Sequence, residues 1–246
     1  MINKLQHTLQ WLKFYLKAAN SKGHGTHSPF VYHFITEILN DNRNFYAFQE
    51  IESLRKELLR AKRSINYNGK ETNIRSILNT SIPTKYNQLL FRMVDFYKPS
   101  NVLEIGGSLG ISTAYLASPD KTILVHTIEE EKELSLLTQQ TLKNLALNNA
   151  TCISKELLLR QGKKYGLVLI NQSSWESEEI IQDLSHFVEE ESVLIFTGIN
   201  KSLNKKILWD KIVEQSMKTF SITLFDVGII FFSKDVLKKQ YFAIRF

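Results

Sequence analysis

The residues best suited to chemistry lie in the stretch 101–117, which reads NVLEIGGSLGISTAYLA. Residues 102–105 predict a strand, the cluster of Gly106, Gly107 and Gly110 predicts a tight loop, and residues 111–117 have helical spacing. In an open α/β sheet such a loop lies at the carboxyl end of a strand, where the ligand crevice forms. Glycines let backbone N–H groups approach a ligand closely, so we expect a small polar or anionic ligand here.

The spacing of these glycines argues against a nicotinamide dinucleotide. That fingerprint is G-x-G-x-x-G, whereas this loop reads G-G-x-x-G, and an acidic residue, Glu104, stands at the end of the preceding strand. An oxidoreductase that binds a nicotinamide cofactor is therefore disfavoured.

A second acidic residue, Glu129, ends the next predicted strand, 19 positions after Gly110. At that place a carboxylate can accept hydrogen bonds from both hydroxyls of an adenosine ribose. Glu130 and Glu131 follow directly, and an acidic first helical turn is by itself favourable to the helix dipole. We assign the ribose contact to Glu129 and the start of the helix to the other two.

With the letters E-I-G-G-S-L-G, the loop resembles motif I of the class I methyltransferases that depend on S-adenosylmethionine (SAM). The stretches SIPTKYNQLLFRMVDFYKPS and TIEEEKELS resemble the same regions of an O-methyltransferase-like branch. HGTHSPFVYHFITEIL, LFDVGIIFFS and YFAIRF resemble a bacterial subgroup of it, so the resemblance covers most of the chain after Gly23.

The resemblance implies SAM as the cofactor and a set of residues that bind it. In this set Glu104 lies near the cationic amino-acid end of SAM, or alternatively caps loop amides. The implied cofactor-binding residues are Glu104, Gly106, Gly107, Ser108, Gly110 and Glu129.

The chain departs from this branch where its metal-dependent members carry a metal site. Those members hold a divalent cation with an aspartate after the fourth strand and an Asp-Asp or Asp-Asn pair after the fifth. Here Asn171 stands at the first place, and Thr197 and Gly198 stand near the second. Hard cations need carboxylate ligands, so we expect no metal and methyl transfer without one. The metal-site motifs of the branch are thus degenerate in this chain.

Weak catalytic candidates are His24, His27 and Asn171. A hydroxyl acceptor must lose its proton, and the two histidines lie in a loop broken by glycines and Pro29 that we expect to cover the active site. Their alternative role is to order that loop. Trp175 lies just after the fourth strand. Its side chain either flanks the adenine or the acceptor, or packs in an interface or in the core.

The elements that position these residues predict an α/β fold with a Rossmann-like, mostly parallel sheet. Strand and helix patterns alternate from residue 102 onward, and residues 221–225 and 229–233 predict an antiparallel C-terminal hairpin. Residues 31–39, 48–61 and 86–97 predict helices. We therefore predict an N-terminal helical cap at 1–80 and a SAM-methyltransferase-like domain at 81–246.

The first helix, at residues 1–19, is amphipathic. Its apolar stripe must be buried on its own domain or on a second subunit, which suggests a homodimer through the N-terminal helices. In residues 1–100, 15 Lys and Arg stand against 7 Asp and Glu. The basic run 54–63 could meet RNA or an acidic partner, but we interpret it as a solvated helix face because no nucleic-acid motif accompanies it.

Composition and length fit one globular α/β protein of 246 residues. The chain has no apolar run long enough to span a membrane and no signal-peptide pattern, so we expect a cytoplasmic protein without a membrane partner. The single cysteine, Cys152, predicts a buried strand thiol. The function that fits best is a SAM-dependent methyltransferase acting on a small molecule. The alternative is a catalytically inactive relative that serves as a binding or regulatory protein.

Overall fold

The structure is a computed structural model that describes residues 4–19, 28–171, 184, 186–215, 219–232 and 239–246. The chain divides into two compact units. The central unit is Asn42–Lys163, and the terminal unit combines Met1–Asp41 with Lys164–Phe246.

The first half of the central unit is a set of helices and a small hairpin. Its elements are α3 (Tyr46–Arg60), β1 (Ser64–Tyr67), β2 (Lys70–Asn73), α4 (Ile74–Thr80) and α5 (Thr84–Tyr97). The buried side chains of α5 include Tyr86, Leu89 and Met93, which follow the helical period as predicted. Lys98, with a φ of 44°, ends α5 just before Pro99.

The second half of the central unit is the predicted alternation of strands and helices. It contains β3 (Asn101–Ile105), α6 (Ile111–Ala117), β4 (Leu124–Ile128), α7 (Lys132–Asn144), β5 (Ala150–Ile153) and α8 (Lys155–Gln161). The strands β3, β4 and β5 pair in parallel in that order, so their carboxyl ends lie at one edge. On β5 the Cys152 thiol lies 3.2 Å from the Ser135 hydroxyl, and burial raises its pKa.

The β1–β2 hairpin was not predicted from the sequence. Its turn is Asn68-Gly69, both with positive φ, which is the strongest short-range hairpin signal. The Glu131 carboxylate accepts a hydrogen bond from the Asn68 amide at 3.2 Å, and Glu133 accepts one from the Asn66 amide at 3.1 Å. Glu131 thus anchors the hairpin in addition to its place at the start of α7.

The terminal unit carries a mixed sheet. Its strands are β6 (Tyr165–Ile170), β7 (Val188–Thr197), β8 (Thr219–Thr223), β9 (Val227–Phe232) and β10 (Gln240–Ala243), in the order β10-β8-β9-β7-β6. The predicted β8–β9 hairpin is antiparallel, whereas β6 with β7 and β10 with β8 are parallel. A helix, α9 (Leu203–Gln215), places Trp209 against Gly228, where any Cβ would collide with the indole ring.

The N-terminal helices belong to the terminal unit as well. They are α1 (Lys4–Lys17) and α2 (Pro29–His33), and α2 continues as a π-helical segment, Phe34–Leu39. Phe30 stacks on Phe220 with ring centroids 4.6 Å apart and meets the edge of Phe231. This aromatic cluster fixes α2 to the β8–β9 hairpin.

The face that α1 turns toward its unit is not the predicted apolar stripe. His7 and Phe14 pack against Phe225, and Ala18 is buried. The leucines of the stripe point away and are 70, 51, 47 and 71% exposed; they are Leu5, Leu9, Leu12 and Leu16. The expectation that this stripe packs on its own domain is therefore not met.

The predicted fold class is confirmed: a mixed α/β protein with mostly parallel strand pairing and an antiparallel hairpin near the C-terminus. The predicted boundary at residue 80 stays a prediction. Among the residues that the structure describes, no helix has the length and apolar character needed to cross a bilayer.

Candidate functional site

The glycine loop after β3 has the backbone conformation that its sequence requires. Gly106 and Gly110 have φ values of 91° and 79°, in the left-handed region that residues with a Cβ rarely adopt, and Ser108 between them lies in that region as well, with a φ of 52°. The amides of Gly106 and Gly107 donate to the Ile128 carbonyl at 2.9 and 3.1 Å. These two amides therefore hold the loop to the end of β4, and the role of Gly106 and Gly107 in binding the cofactor stays a prediction.

Helix α7 fixes the other side of the loop. The hydroxyls of Thr138 and Thr141 donate to the carbonyls of Ser108 and Leu109 at 2.7 and 2.8 Å. A Cβ on Gly110 would come within 3.1 Å of the Thr138 Cα, so this glycine is needed for close packing as well as for its φ. The loop is rigidly positioned between β4 and α7.

Glu129 joins this loop from the end of β4. Its carboxylate accepts hydrogen bonds from the Ser108 amide at 2.7 Å and from the Glu131 amide at 3.2 Å. A carboxylate has about four acceptor positions, so two amides leave roughly half of its capacity for a ligand. The structure thus brings the predicted ribose acid and the glycine loop together.

Burial raises the pKa of Glu129, and the two amide hydrogen bonds oppose that rise. The negative charges of Glu104 and Glu131 raise it further. A half-buried carboxylate gains from any ligand that donates hydrogen bonds to it. Two neighbouring hydroxyls of a ribose supply such donors.

Glu104 lies beneath the loop and is completely buried. One carboxylate oxygen accepts the Ser112 hydroxyl, and the other accepts the hydroxyls of Thr113 and Thr127, the last at 2.9 Å. Hydroxyl groups therefore satisfy this carboxylate in the structure. Its contact with the cofactor, which the resemblance implies, stays a prediction.

The three hydroxyls around Glu104 were not chosen as site residues from the sequence. Thr127 is the direct cross-strand partner of Glu104 in the β3–β4 pairing, and a Cβ on Gly107 would collide with its hydroxyl oxygen. A threonine near the end of the strand that follows the one carrying Glu104 was the available signal. The pairing register needed to recognise it comes only from the structure.

A recess opens in the central unit beside the loop. Its cavity volume is about 10 Å³, and its walls include Gly107, Ser108, Ser112, Ile82 and Asn87. A volume of this size holds about one water molecule, so the recess by itself does not define the cofactor site.

The remaining candidates lie elsewhere in the chain. Asn171 directly follows β6 in the terminal unit and is buried. The Thr197 hydroxyl donates to its side-chain oxygen at 3.4 Å. His24, His27 and Trp175 lie outside the described residues. Within the described ranges no group of three His, Cys, Asp or Glu side chains is placed to hold a metal ion.

Comparison with known proteins gives a fold and no sequence family. No protein-family model matches the chain, and no curated protein matches it. Among solved structures, the chain is similar to a Staphylococcus aureus protein assigned as a caffeoyl-CoA O-methyltransferase, with a TM-score of 0.58 and 16% identity. That match covers 74% of this chain and 92% of the other.

Two further solved structures have the same fold. An O-methyltransferase from Bacillus cereus in complex with SAH (S-adenosylhomocysteine) matches at a TM-score of 0.54 and 14% identity, over 79% of this chain and 94% of that one. An SAH-bound methyltransferase from Podospora anserina matches at a TM-score of 0.55 and 11% identity, over 95% of this chain and 99% of that one. The chain therefore has the fold of the class I SAM-dependent methyltransferases, as its sequence predicts.

Proposed function

We propose that this protein is a SAM-dependent methyltransferase that acts on a small molecule. The observation that carries the proposal is the junction of Glu129 with the glycine loop, at the carboxyl ends of neighbouring parallel strands. Ligands bind at that edge in open α/β sheets. The solved structures of similar fold, two of them determined with SAH, support the same cofactor.

The residues of the central unit fit this cofactor in charge and in hydrogen-bonding capacity. Glu129 binds the ribose hydroxyls with the acceptor positions that the Ser108 and Glu131 amides leave over. Gly107, Ser108 and Ser112 form part of the wall of the recess, and the Ser112 hydroxyl donates to Glu104 beneath it. Glu104 adds a negative charge beneath the loop, which favours the cationic end of SAM.

When bound, SAM supplies a methyl group on a sulfonium, which is already activated for in-line displacement. The chain's own contribution is to hold the cofactor and the acceptor in line and to exclude water. Orientation of this kind corresponds to effective molarities of about 10⁵ M or more. Acceleration by positioning needs no metal, in keeping with Asn171 and Thr197 at the places where related enzymes carry acids.

The test of this function is methyl transfer itself. SAM with a labelled methyl group is incubated with the protein and a panel of small hydroxyl-bearing acceptors, and the release of SAH is measured with added EDTA or Mg²⁺. We expect turnover with at least one acceptor and no effect of either addition. Loss of turnover in EDTA and recovery with Mg²⁺ would refute the metal-free proposal.

The second candidate is a binding or regulatory protein that has kept the cofactor site without catalysis. It is favoured by the side chains at the ends of β6 and β7, an amide and a hydroxyl where carboxylates would be expected. This candidate predicts that SAM and SAH bind with similar affinity and that no acceptor yields SAH. A single acceptor that is methylated eliminates it.

A second copy of the chain is the partner that best fits the exposed face of α1. Leu5, Leu9, Leu12 and Leu16 are spaced by four, three and four residues, the repeat of a coiled-coil seam. In an antiparallel pair about a two-fold axis between residues 10 and 11, Leu5 meets Leu16 and Leu9 meets Leu12. Lys13 then faces Thr8, whereas Lys4 and Lys17 occupy facing positions at the two ends of the pair, where like charges repel.

The seam supports a weak dimer. With 14 residues, α1 presents a strip about 21 Å long and 10 Å wide, which is small beside the roughly 800 Å² per partner of a standard interface. Since α1 has lysines and no acids, salt should strengthen the dimer by screening repulsion, whereas it would weaken attachment to an anionic surface.

Sedimentation velocity over a wide concentration range tests the dimer. The Leu9→Gln/Leu12→Gln variant should stay monomeric, and the matched control Gln6→Ala/Gln10→Ala should dimerise like the wild type. Equal behaviour of both variants would refute pairing through this seam. We also propose a cytoplasmic location and no nucleic-acid partner for the methyltransferase site.

A further inference from the structure

A second recess in the central unit has a composition unlike that of the cofactor site. It lies between the end of α3 and the beginning of α4, is open to solvent, and has a volume of about 440 Å³. Four of the residues that line it are basic: Lys56, Arg60, Lys62 and Arg75. None of its lining residues is acidic, so the net charge of its lining is positive.

The local structure explains why these cations converge. Lys56 and Arg60 are four residues apart on α3 and therefore lie on one face of the helix. Lys62 follows the end of α3, and Arg75 lies in the first turn of α4. The Asn73 side chain, also at the recess, accepts the Arg75 amide at 2.9 Å and so caps α4.

The four side chains lack acidic partners in the part of the chain that the structure describes. Elsewhere on α3 the pattern differs, since Arg55 pairs with Glu52 at 3.5 Å and donates to Thr84 at 2.9 Å. The basic side chains that face the recess thus have charge available for a ligand, whereas Arg55 is used for packing.

We infer that this recess, the basic recess, binds a ligand that carries clustered phosphate groups. Four cations around one volume match two or more phosphates, because Arg donates in a fork to phosphate oxygens and Lys adds a mobile positive charge. The phosphates come either from a free polyphosphorylated small molecule or from a nucleic-acid backbone. This site does not rest on the proposed methyltransferase function.

Calorimetric titration tests the inference with two probes, inorganic pyrophosphate and a short oligouridylate. The recess variant is Lys62→Gln/Arg75→Gln. Its matched control is Lys121→Gln/Lys143→Gln, which removes the same charge from exposed sites of the same unit outside the basic recess. Circular dichroism and thermal melting verify that both variants are folded.

We expect pyrophosphate to bind the wild type and the control with the same affinity, and to bind the recess variant about five- to twentyfold more weakly. Binding should weaken with salt, and the amide resonances of Leu59 and Ala61 should shift on titration. If the oligouridylate shows the same dependence at lower concentration than pyrophosphate, a nucleic-acid backbone is the source of the phosphates. Absence of binding by both probes, or equal loss in both variants, would overturn the inference.

Discussion

Replacing Glu129 by alanine should weaken SAM binding by about 1 to 3 kcal/mol, a factor of roughly 5 to 150 in Kd. The magnitude follows from the acceptor positions of the carboxylate. Two are occupied by the amides of Ser108 and Glu131, so the remainder are available for two ribose hydroxyls. Hydrogen bonds to a charged acceptor have net strengths of this order.

Glutamine at the same position gives a graded result. Glu129→Gln keeps one acceptor oxygen, which the Ser108 amide can use, but it removes the charge and the second acceptor. Its loss in affinity should therefore be smaller than that of Glu129→Ala. The matched control is Glu130→Gln, because that neighbour is exposed and removes the same charge.

The pH dependence gives a second readout of the same side chain. Burial raises the pKa of Glu129 above its ordinary value of 4.5, and protonation removes acceptor capacity. SAM affinity should thus fall as the pH drops from neutral through this raised pKa, and the Glu129→Gln variant should lack that fall. Calorimetry at several pH values measures both. Unchanged affinity in a folded Glu129→Ala variant would remove Glu129 from the site.

Two further predictions concern stability. Gly110→Ala should lower the free energy of unfolding by more than Gly162→Ala. Both glycines have positive φ, which costs alanine about 1 to 3 kcal/mol of strain. Only at Gly110 would the added Cβ also lie too close to a neighbour, the Thr138 Cα. Urea titration of both variants would refute this if the costs were equal. Burial and the Lys163 charge lower the pKa of His126 in the folded state. As the pH falls below 6.5, His126 is therefore protonated in the unfolded state before it is protonated in the folded state, and the free energy of unfolding should decrease. Relative to His126→Gln, that loss should stay under about 1.4 kcal/mol per pH unit, and identical pH profiles would contradict it.

The sequence predicted the central strands and the glycine loop because local signals agree there. An apolar run, a glycine cluster and a helical repeat follow one another in residues 101–117, and each is visible without knowledge of neighbours. The β1–β2 hairpin was missed although Asn68-Gly69 marks its turn. Its strands are largely polar, and it is anchored by Glu131 and Glu133 from a distant part of the chain.

The orientation of elements was harder to predict than their existence. Periodicity identified α1 correctly, but it could not show that His7, Phe14 and Ala18 form the packed face while the leucines remain exposed. In the same way, the sequence identified Glu104 but not the three hydroxyls that surround it. Those contacts depend on strand register and on the turn into α6, which arise from tertiary structure.

Calorimetric titration of the wild-type protein with SAM, SAH and NAD tests the central claim most directly. The junction of Glu129 with a G-G-x-x-G loop predicts saturable binding of SAM and SAH at one site per chain and no binding of NAD. Binding of NAD, or the absence of heat with both SAM and SAH in the folded protein, would contradict the assignment of this site.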